Sequence, residues 1–352
     1  MNYRYINGFL RAWLGAEHTT VSAVLRTVSS EELLEIENSL RFSHTRKERL
    51  LRLALADTLN ALPRPVYRLV TDILKRLRGR SGVMAQCEFV PGRFVRLAST
   101  AAEGAGIQPA RRIRVVLTHD IDTRECTEFW PEVAKAEDAI GVYSSYNVLT
   151  RGPYKLDRSW LDELETRGFE IGLHGDTHDL AFGFRSTQAI RGRLRACQDA
   201  LGRQVVGYRA PGLAISERAL TVLEELGFRY DSSIKVLCCY SRGVPSCLPY
   251  LYGGQRLWEL PLAIQDDGLF RDIGLSDDEA LRVIRRIVEQ FKAHNGLFVF
   301  NSHPVILRDH MAFYRSFLDY LVQQPDLDVV LARDLVTHLD ENVLADGGDP
   351  AR

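Results

Sequence analysis

The stretch Ile113-Arg114-Val115-Val116-Leu117-Thr118-His119-Asp120-Ile121-Asp122 decides how the rest of the chain is read. It begins with β-branched and large apolar side chains and ends in two carboxylates two residues apart. Such side chains pack well on a pleated surface and favour extended backbone. Successive side chains of an extended segment point to opposite faces. Asp120 and Asp122 therefore share one face, and His119 and Ile121 take the other.

Working outward, short apolar runs recur at Gly141–Val148, Phe169–Leu173, Val205–Tyr208, Phe228–Asp231, Leu257–Leu262, Leu297–Phe300 and Val329–Leu331. Amphipathic stretches of helical length lie between them near 126–139, 158–168, 186–202, 216–226, 277–294 and 310–323. Strand-then-helix units repeated in this way imply a parallel sheet with helices outside it. About eight strand candidates over roughly 240 residues fit an α/β fold, an irregular (β/α) barrel of about seven or eight parallel strands. Residues 1–96 are expected to form a helical N-terminal extension, in which Ser29 and Glu32 make a capping-box pattern. The leucines Leu50, Leu51, Leu53 and Leu55 fall in a helical window that Pro63-Arg64-Pro65 breaks, and a further helix is expected over 66–77. The small and polar stretch 97–110 reads as a linker, 111–340 as the barrel and 341–352 as a tail.

In folds of this kind functional side chains gather at the C-terminal ends of strands. The first run is followed by Asp120 and Asp122, whose like charges call for a cation between or beside them. The third leads into His174-Gly175-Asp176-Thr177-His178, two histidines at a spacing that meets on one face of a helical turn. Imidazole with carboxylate suits zinc, cobalt, nickel or iron. The fourth ends in Tyr208-Arg209-Ala210-Pro211-Gly212, where an arginine can hold a carboxylate. The run at 297–300 leads to Asn301-Ser302-His303, and a histidine there can act as a general acid. Singly these are an acidic loop, a pair of loop histidines, a surface arginine before a turn and a core histidine. Four such groups on the ends of four strands are what metal-assisted hydrolysis requires.

The order Thr118-His119-Asp120-Ile121-Asp122, His174 to His178, Tyr208 to Gly212, Tyr230-Asp231-Ser232-Ser233, Trp258-Glu259-Leu260-Pro261 and Ser302-His303-Pro304 resembles the polysaccharide deacetylase family (carbohydrate esterase family 4, the NodB-homology domain). The resemblance spans roughly 110–340 and omits the first hundred residues. It implies one divalent metal ion, zinc first, with cobalt, nickel or iron as alternatives, held by Asp122, His174 and His178. It also implies Asp120 as base, Arg209 as its support and His303 as acid. Pro211 and Gly212 correspond to substrate-loop positions where a backbone N–H can help bind an oxyanion. Tyr208, Asp231, Trp258 and Glu259 join these as substrate-side candidates. Where the family usually has adjacent aspartates, Ile121 intervenes, as in the branch of lipid-linked aminoarabinose deformylases and exopolysaccharide-locus deacetylases. Gly175 stands where Ser or Thr is usual, and no clear DxxxW-type motif is present.

The expected activity is metal-dependent hydrolysis of an N-acyl group, first of all N-acetyl, from an amino sugar or glycan precursor. The alternatives are a deformylase or cyclic-amide hydrolase on a small or lipid- or nucleotide-linked substrate, and a non-catalytic carbohydrate-binding domain. The 352 residues carry 45 basic and 46 acidic side chains, a balance that speaks against nucleic acid as partner. Charge is unevenly spread, with 16 basic against 10 acidic side chains in residues 1–110 and 11 against 3 within 41–80. That basic stretch could make peripheral contact with anionic lipid, or it could be a solvated cap. No run of about 18 apolar residues and no signal-peptide pattern is visible, and the six cysteines form no CxxC pair. These features lead to the expectation of a cytoplasmic protein with reduced thiols.

Overall fold

The computed structural model describes residues 3–15, 21, 23, 25–41, 89–106, 112–236, 243–252 and 256–344. The leucine repeat at 50–55, the helix expected over 66–77, all of the basic stretch but Arg41, and Cys87, Cys238 and Cys239 lie outside the described residues.

Strand β1 (Ile113–Ile121) is the centre of the molecule. It pairs in parallel with β2 (Ser145–Leu149), β9 (Leu297–Ser302) and, at its start, β10 (Leu327–Val329). From β2 the sheet continues through β3 (Glu170–Gly175), β4 (Gly207–Tyr208), β5 (Tyr230–Asp231) and β7 (Trp258–Glu259). On the other side, β8 (Ile264–Gln265) follows β9. Among the described strands only β6 (Tyr250–Leu251), on the edge beside β7, runs antiparallel. The path from β6 to β8 does not close, so the barrel is irregular and open among the described residues.

Helices α4 (Arg124–Asp138), α5 (Arg158–Thr166), α6 (Thr187–Leu201), α7 (Glu217–Glu225), α8 (Asp277–Lys292) and α10 (Met311–Gln323) fall where amphipathic periodicity placed them. Each buries one face; α8, for example, buries Ala280, Val283, Ile284, Ile287, Val288 and Phe291. A short helix α9 (Pro304–Leu307) leaves β9 and packs on α4, and α11 (Ala332–Leu339) follows β10.

The N-terminal segment is more closely joined to the barrel than an appended extension would be. Helix α1 (Tyr3–Leu14) buries Tyr5, Ile6, Phe9, Leu10 and Trp13, which belong to the same core as the sheet. The Phe9 ring lies 6.2 Å from Trp258 and 5.4 Å from Phe94. The Trp13 indole donates to the Asn295 carbonyl at 2.7 Å, just before β9, and Arg114 at the start of β1 stacks over its ring. Helix α2 (Ser30–Ser39) carries the expected capping box, with Ser29 and Glu32 exchanging hydrogen bonds.

Two boundaries are corrected. Residues 97–104, read as linker, belong to α3 (Arg93–Gly104), whose Phe94, Val95, Ala98, Ala101 and Ala102 are buried. Small side chains let this helix approach closely, and composition alone cannot tell that use from flexibility. The barrel boundary at 340 also fails. Asp340–Leu344 is a helical segment against α1, and Asp340 accepts from the Trp258 indole at 2.7 Å and from the Arg229 guanidinium. Arg229 precedes β5, and the Arg333 N–H at the start of α11 reaches Glu170 at the start of β3. Helix α1 and the Asp340–Leu344 segment thus form a floor beneath the N-terminal ends of the strands.

This floor is testable. Phe9→Ala empties a fully buried aromatic site, and a loss of about 3–5 kcal/mol in urea unfolding is expected. A loss below about 1 kcal/mol, the range of surface substitutions, would separate α1 from the core.

Candidate metal and catalytic centre

The site lies at the opposite end of the strands from that floor. Asp120 is the penultimate residue of β1, opposite Asn147 of β2, which in turn lies opposite Gly172 of β3. Register partners share a face, so His174, two residues beyond Gly172, looks the same way as Asp120. A Cβ at Gly172 would collide with Oδ1 of Asn147, so glycine leaves that amide room to reach Asp120.

Asp122 follows β1, and His174 ends the inward row of β3. Gly175, at φ +107°, takes the chain out of the strand, a conformation L side chains resist. His178 then stands in an irregular segment. The two histidines therefore meet across a strand end and its turn, not on the helical turn that their spacing suggested. The Nε2 atoms of His174 and His178 lie 3.0 and 3.3 Å from Oδ1 and Oδ2 of Asp122. One ligand atom from each residue falls within 4.8 Å of the others.

These donors fit a cation. The His174 Nδ1 lies 2.8 Å from the Arg209 carbonyl, which can only accept, so Nδ1 carries a proton. In the neutral ring Nε2 then offers a lone pair to a carboxylate oxygen, Oδ1, that is buried and lacks a hydrogen-bond donor. Two acceptors 3.0 Å apart need a second proton or a metal ion between them. The Nδ1–carbonyl bond is the orienting contact usual behind a metal-bound imidazole. Burial opposes the charge of Asp122, yet the adjacent His178 and His174 hold its pKa well below the usual carboxylate value.

Asp120 is buried among donors. Asn147 Nδ2 gives to Oδ1 at 2.9 Å and Asn301 Nδ2 to Oδ2 at 2.8 Å. The Arg209 Nε is 3.5 Å from Oδ1, while its Nη2 donates to Thr118 and Ser232. Burial raises the cost of ionising Asp120, but His174, Arg209 and His303 outweigh it and its pKa is lowered. His303 comes from the residue after β9, with Nε2 3.5 Å from Oδ2 of Asp122. Its Nδ1 and its backbone N–H both meet Asp266, each at 2.7 Å. Burial disfavours its charged form, and the Asp266 carboxylate reverses that, raising the pKa well above the ordinary value.

Residues 108–230 match the family model described as polysaccharide deacetylase. The matched stretch takes in Asp120, Asp122, His174, His178 and Arg209 and ends before His303. The fold is similar to that of a Mycobacterium smegmatis protein assigned as a polysaccharide deacetylase, with TM-score 0.54 and 20% identity over 72% of this chain and 96% of that one. It is likewise similar to Puue allantoinase (TM-score 0.54, 12% identity, 66% and 91% of the two chains). A Pseudomonas aeruginosa PAO1 protein also assigned as a polysaccharide deacetylase shows TM-score 0.54 and 13% identity over 66% and 92%. No curated protein matches the chain.

Six motif positions thus meet around one point, while the substrate-side candidates divide. Pro211 is buried 3.5 Å from where a Cβ on Gly175 would sit, and Gly212 is exposed beside Leu180 of the His178 loop. Tyr208, Asp231 and Glu259 are register partners in line with Leu173, so they occupy the face away from His174 and Arg209. Tyr208 packs between Phe182 and Phe228. Asp231 accepts from Ser233 Oγ, which accepts from the Ala210 N–H, and so it braces the loop after Arg209 from behind. Trp258 belongs to the floor described above. Strand alternation, which brought Asp120 and Asp122 together, turns Tyr208, Asp231 and Glu259 away from the centre, while Trp258 faces inward but at the opposite end of the barrel.

Asp266, Asn147 and Asn301 were not singled out from sequence. Asp266 follows a two-residue strand and nothing local marks it. The two asparagines did carry a signal, a polar residue within an apolar run. His119 lies behind the sheet between Ser302 Oγ (2.8 Å) and Glu137 (2.9 Å). That serine, histidine and glutamate are all fully buried, so no substrate reaches them and they tie β1 to β9.

Two outcomes are expected. Asp122→Asn and His174→Ala raise the dissociation constant for Zn2+ by on the order of 100-fold, measured by chelator competition; outer-shell changes alone typically cost 10–100-fold. Burial and nearness to Asp231 raise the pKa of Glu259 well above 4.5, so the folded protein favours its neutral form more than the unfolded chain does. Its stabilisation is complete below pH about 4.5 and declines as pH rises toward the folded value. In Glu259→Gln, unfolding free energy measured from pH 4 to 8 declines less than in the wild type.

Proposed function

We propose that this protein hydrolyses an N-acyl group, most simply N-acetyl, from an amino sugar or glycan precursor. The carrying observation is the convergence of an Asp122–His174–His178 donor set with an arginine-supported carboxylate on one side and an aspartate-supported histidine on the other.

Asp122, His174 and His178 would hold the ion. A divalent cation supplies Lewis-acid polarisation of the acyl oxygen and a lowered pKa for water when held there, and zinc suits these donors. Asp120, kept ionised by Asn147, Asn301 and Arg209, accepts the proton of the attacking water. Its two oxygens are bound by the asparagines, so the carboxylate cannot rotate away from the site. His303, protonated against Asp266, gives a proton to the departing nitrogen. An amine leaves poorly as an anion, so this proton is needed for the C–N bond to break. The exposed turn at Gly212 is assigned the backbone N–H that would help bind the oxyanion.

A deformylase or cyclic-amide activity uses the same groups. The assay is acetate, formate or ring-opened product release from acetylated amino sugars, formylated sugars and cyclic amides by zinc-loaded protein. Acetate release is expected, lost on chelation and restored by metal. Asp120→Asn and His303→Ala are each expected to lower kcat by about 10²–10⁴ with zinc still bound. Turnover of formyl or cyclic-amide compounds alone would move the assignment to the second reading. Unchanged turnover in both variants would overturn the roles given to them.

A further inference from the structure

Asp122 stands where the sheet no longer holds the chain. Strand β1 ends at Ile121, and Thr123 begins the next element as the N-cap of α4, its side chain accepting from the Cys126 N–H. A ligand between two elements is placed only as well as its flanking peptides. The preceding peptide has an unusual support. The hydroxyl of Tyr154 donates to the Ile121 carbonyl at 2.8 Å and accepts from the Leu149 N–H at 2.8 Å. These groups flank the last β1–β2 register pair, Ile121 with Val148. The ring is 9% exposed, so water does not compete freely for either bond.

The peptide group is planar, and the Ile121 oxygen shares its plane with the nitrogen and Cα of Asp122. Fixing that oxygen therefore sets the direction in which Asp122 leaves the strand. The same loop reaches the other ligands. The Thr150 N–H donates to the Gly175 carbonyl at 3.0 Å and the Arg151 N–H to the Asp176 carbonyl at 2.6 Å, holding the turn between His174 and His178. Residues 149–154 thus span both ligand-bearing segments.

We propose that Tyr154 is a positioning residue for the metal centre, its hydroxyl fastening the Ile121–Asp122 peptide so that Asp122 meets His174 and His178. The proposal rests on Asp122 as a ligand, and its test separates the two. Zn2+ is titrated into the metal-free 352-residue protein against a chromophoric chelator. Tyr154→Phe keeps the ring and removes the hydroxyl, and its dissociation constant for Zn2+ is expected to rise about tenfold. Tyr314→Phe, which removes a buried hydroxyl bound to Glu137 behind the sheet, is expected to match the wild type. If Tyr154→Phe does not fold, Gly152→Ala serves instead. Its new methyl would lie 3.1 Å from Leu149 and 3.4 Å from the Tyr154 ring, and weaker binding is again expected.

A wild-type affinity retained within twofold by Tyr154→Phe, or by Gly152→Ala in its place, overturns the proposal and leaves the ligand assignment standing. An equal tenfold loss in Tyr314→Phe overturns it too, by showing a general softening. Wild-type protein that binds no Zn2+, or binds it as tightly with Asp122→Asn, overturns the ligand assignment itself.

Discussion

A carboxylate and a guanidinium are buried together at the mouth of the barrel, and most of the site's order answers to that pair. Asp120 and Arg209 are 2% and 1% exposed. Removing such charges from water costs several kcal/mol per ion unless other polar groups replace the solvent. The replacements come from β1, β2, β9 and the end of β5. Asn147 on β2 and Asn301 on β9 serve the carboxylate, while Thr118 on β1 and Ser232 just after β5 serve the guanidinium. The backbone of the same arginine accepts from His174. One ion pair therefore joins β1, β2, β9 and the end of β5 and, through the Arg209 carbonyl, His174 of β3.

The barrel has two ends with opposite chemistry. At the N-terminal ends of the strands, Trp258, Phe9, Trp13 and the Asp340 segment make a largely apolar floor joined by a few hydrogen bonds. At the other end, unpaired acceptors face one another at Asp122 and His174. A rigid floor suits a polar mouth, because acceptors held within 3.0 Å of each other would otherwise relax apart.

Much of this was legible in order along the chain. The alternation of strands and helices, the capping box at Ser29 and the six motif residues at the centre could be read locally. They depend on short-range regularities: the period of two along a strand, the 3.6 of a helix, and the habit of α/β folds to carry function at strand ends. Some readings failed for reasons equally physical. HxxxH has the spacing of a helical turn, yet Gly175 makes it a strand end. The small and polar residues at 97–104 look like a linker and are a close-packed helix. Tyr208, Asp231 and Glu259 lie in the motifs but on the wrong side of the pleat, and Trp258 lies at the wrong end of the barrel.

The amino-acid sequence by itself determined the elements and the cast of the centre, because periodicity, caps and residue chemistry act over a few positions. Tertiary structure alone decided who stands behind whom. Asp266 supports His303 from 37 residues away, Asn301 supports Asp120 across 181, and Tyr154 reaches Ile121 across 33. Those partnerships arise from register between strands and from loops crossing their ends. No local pattern encodes them, since a hydrogen bond needs two groups within about 3 Å in space whatever their separation along the chain.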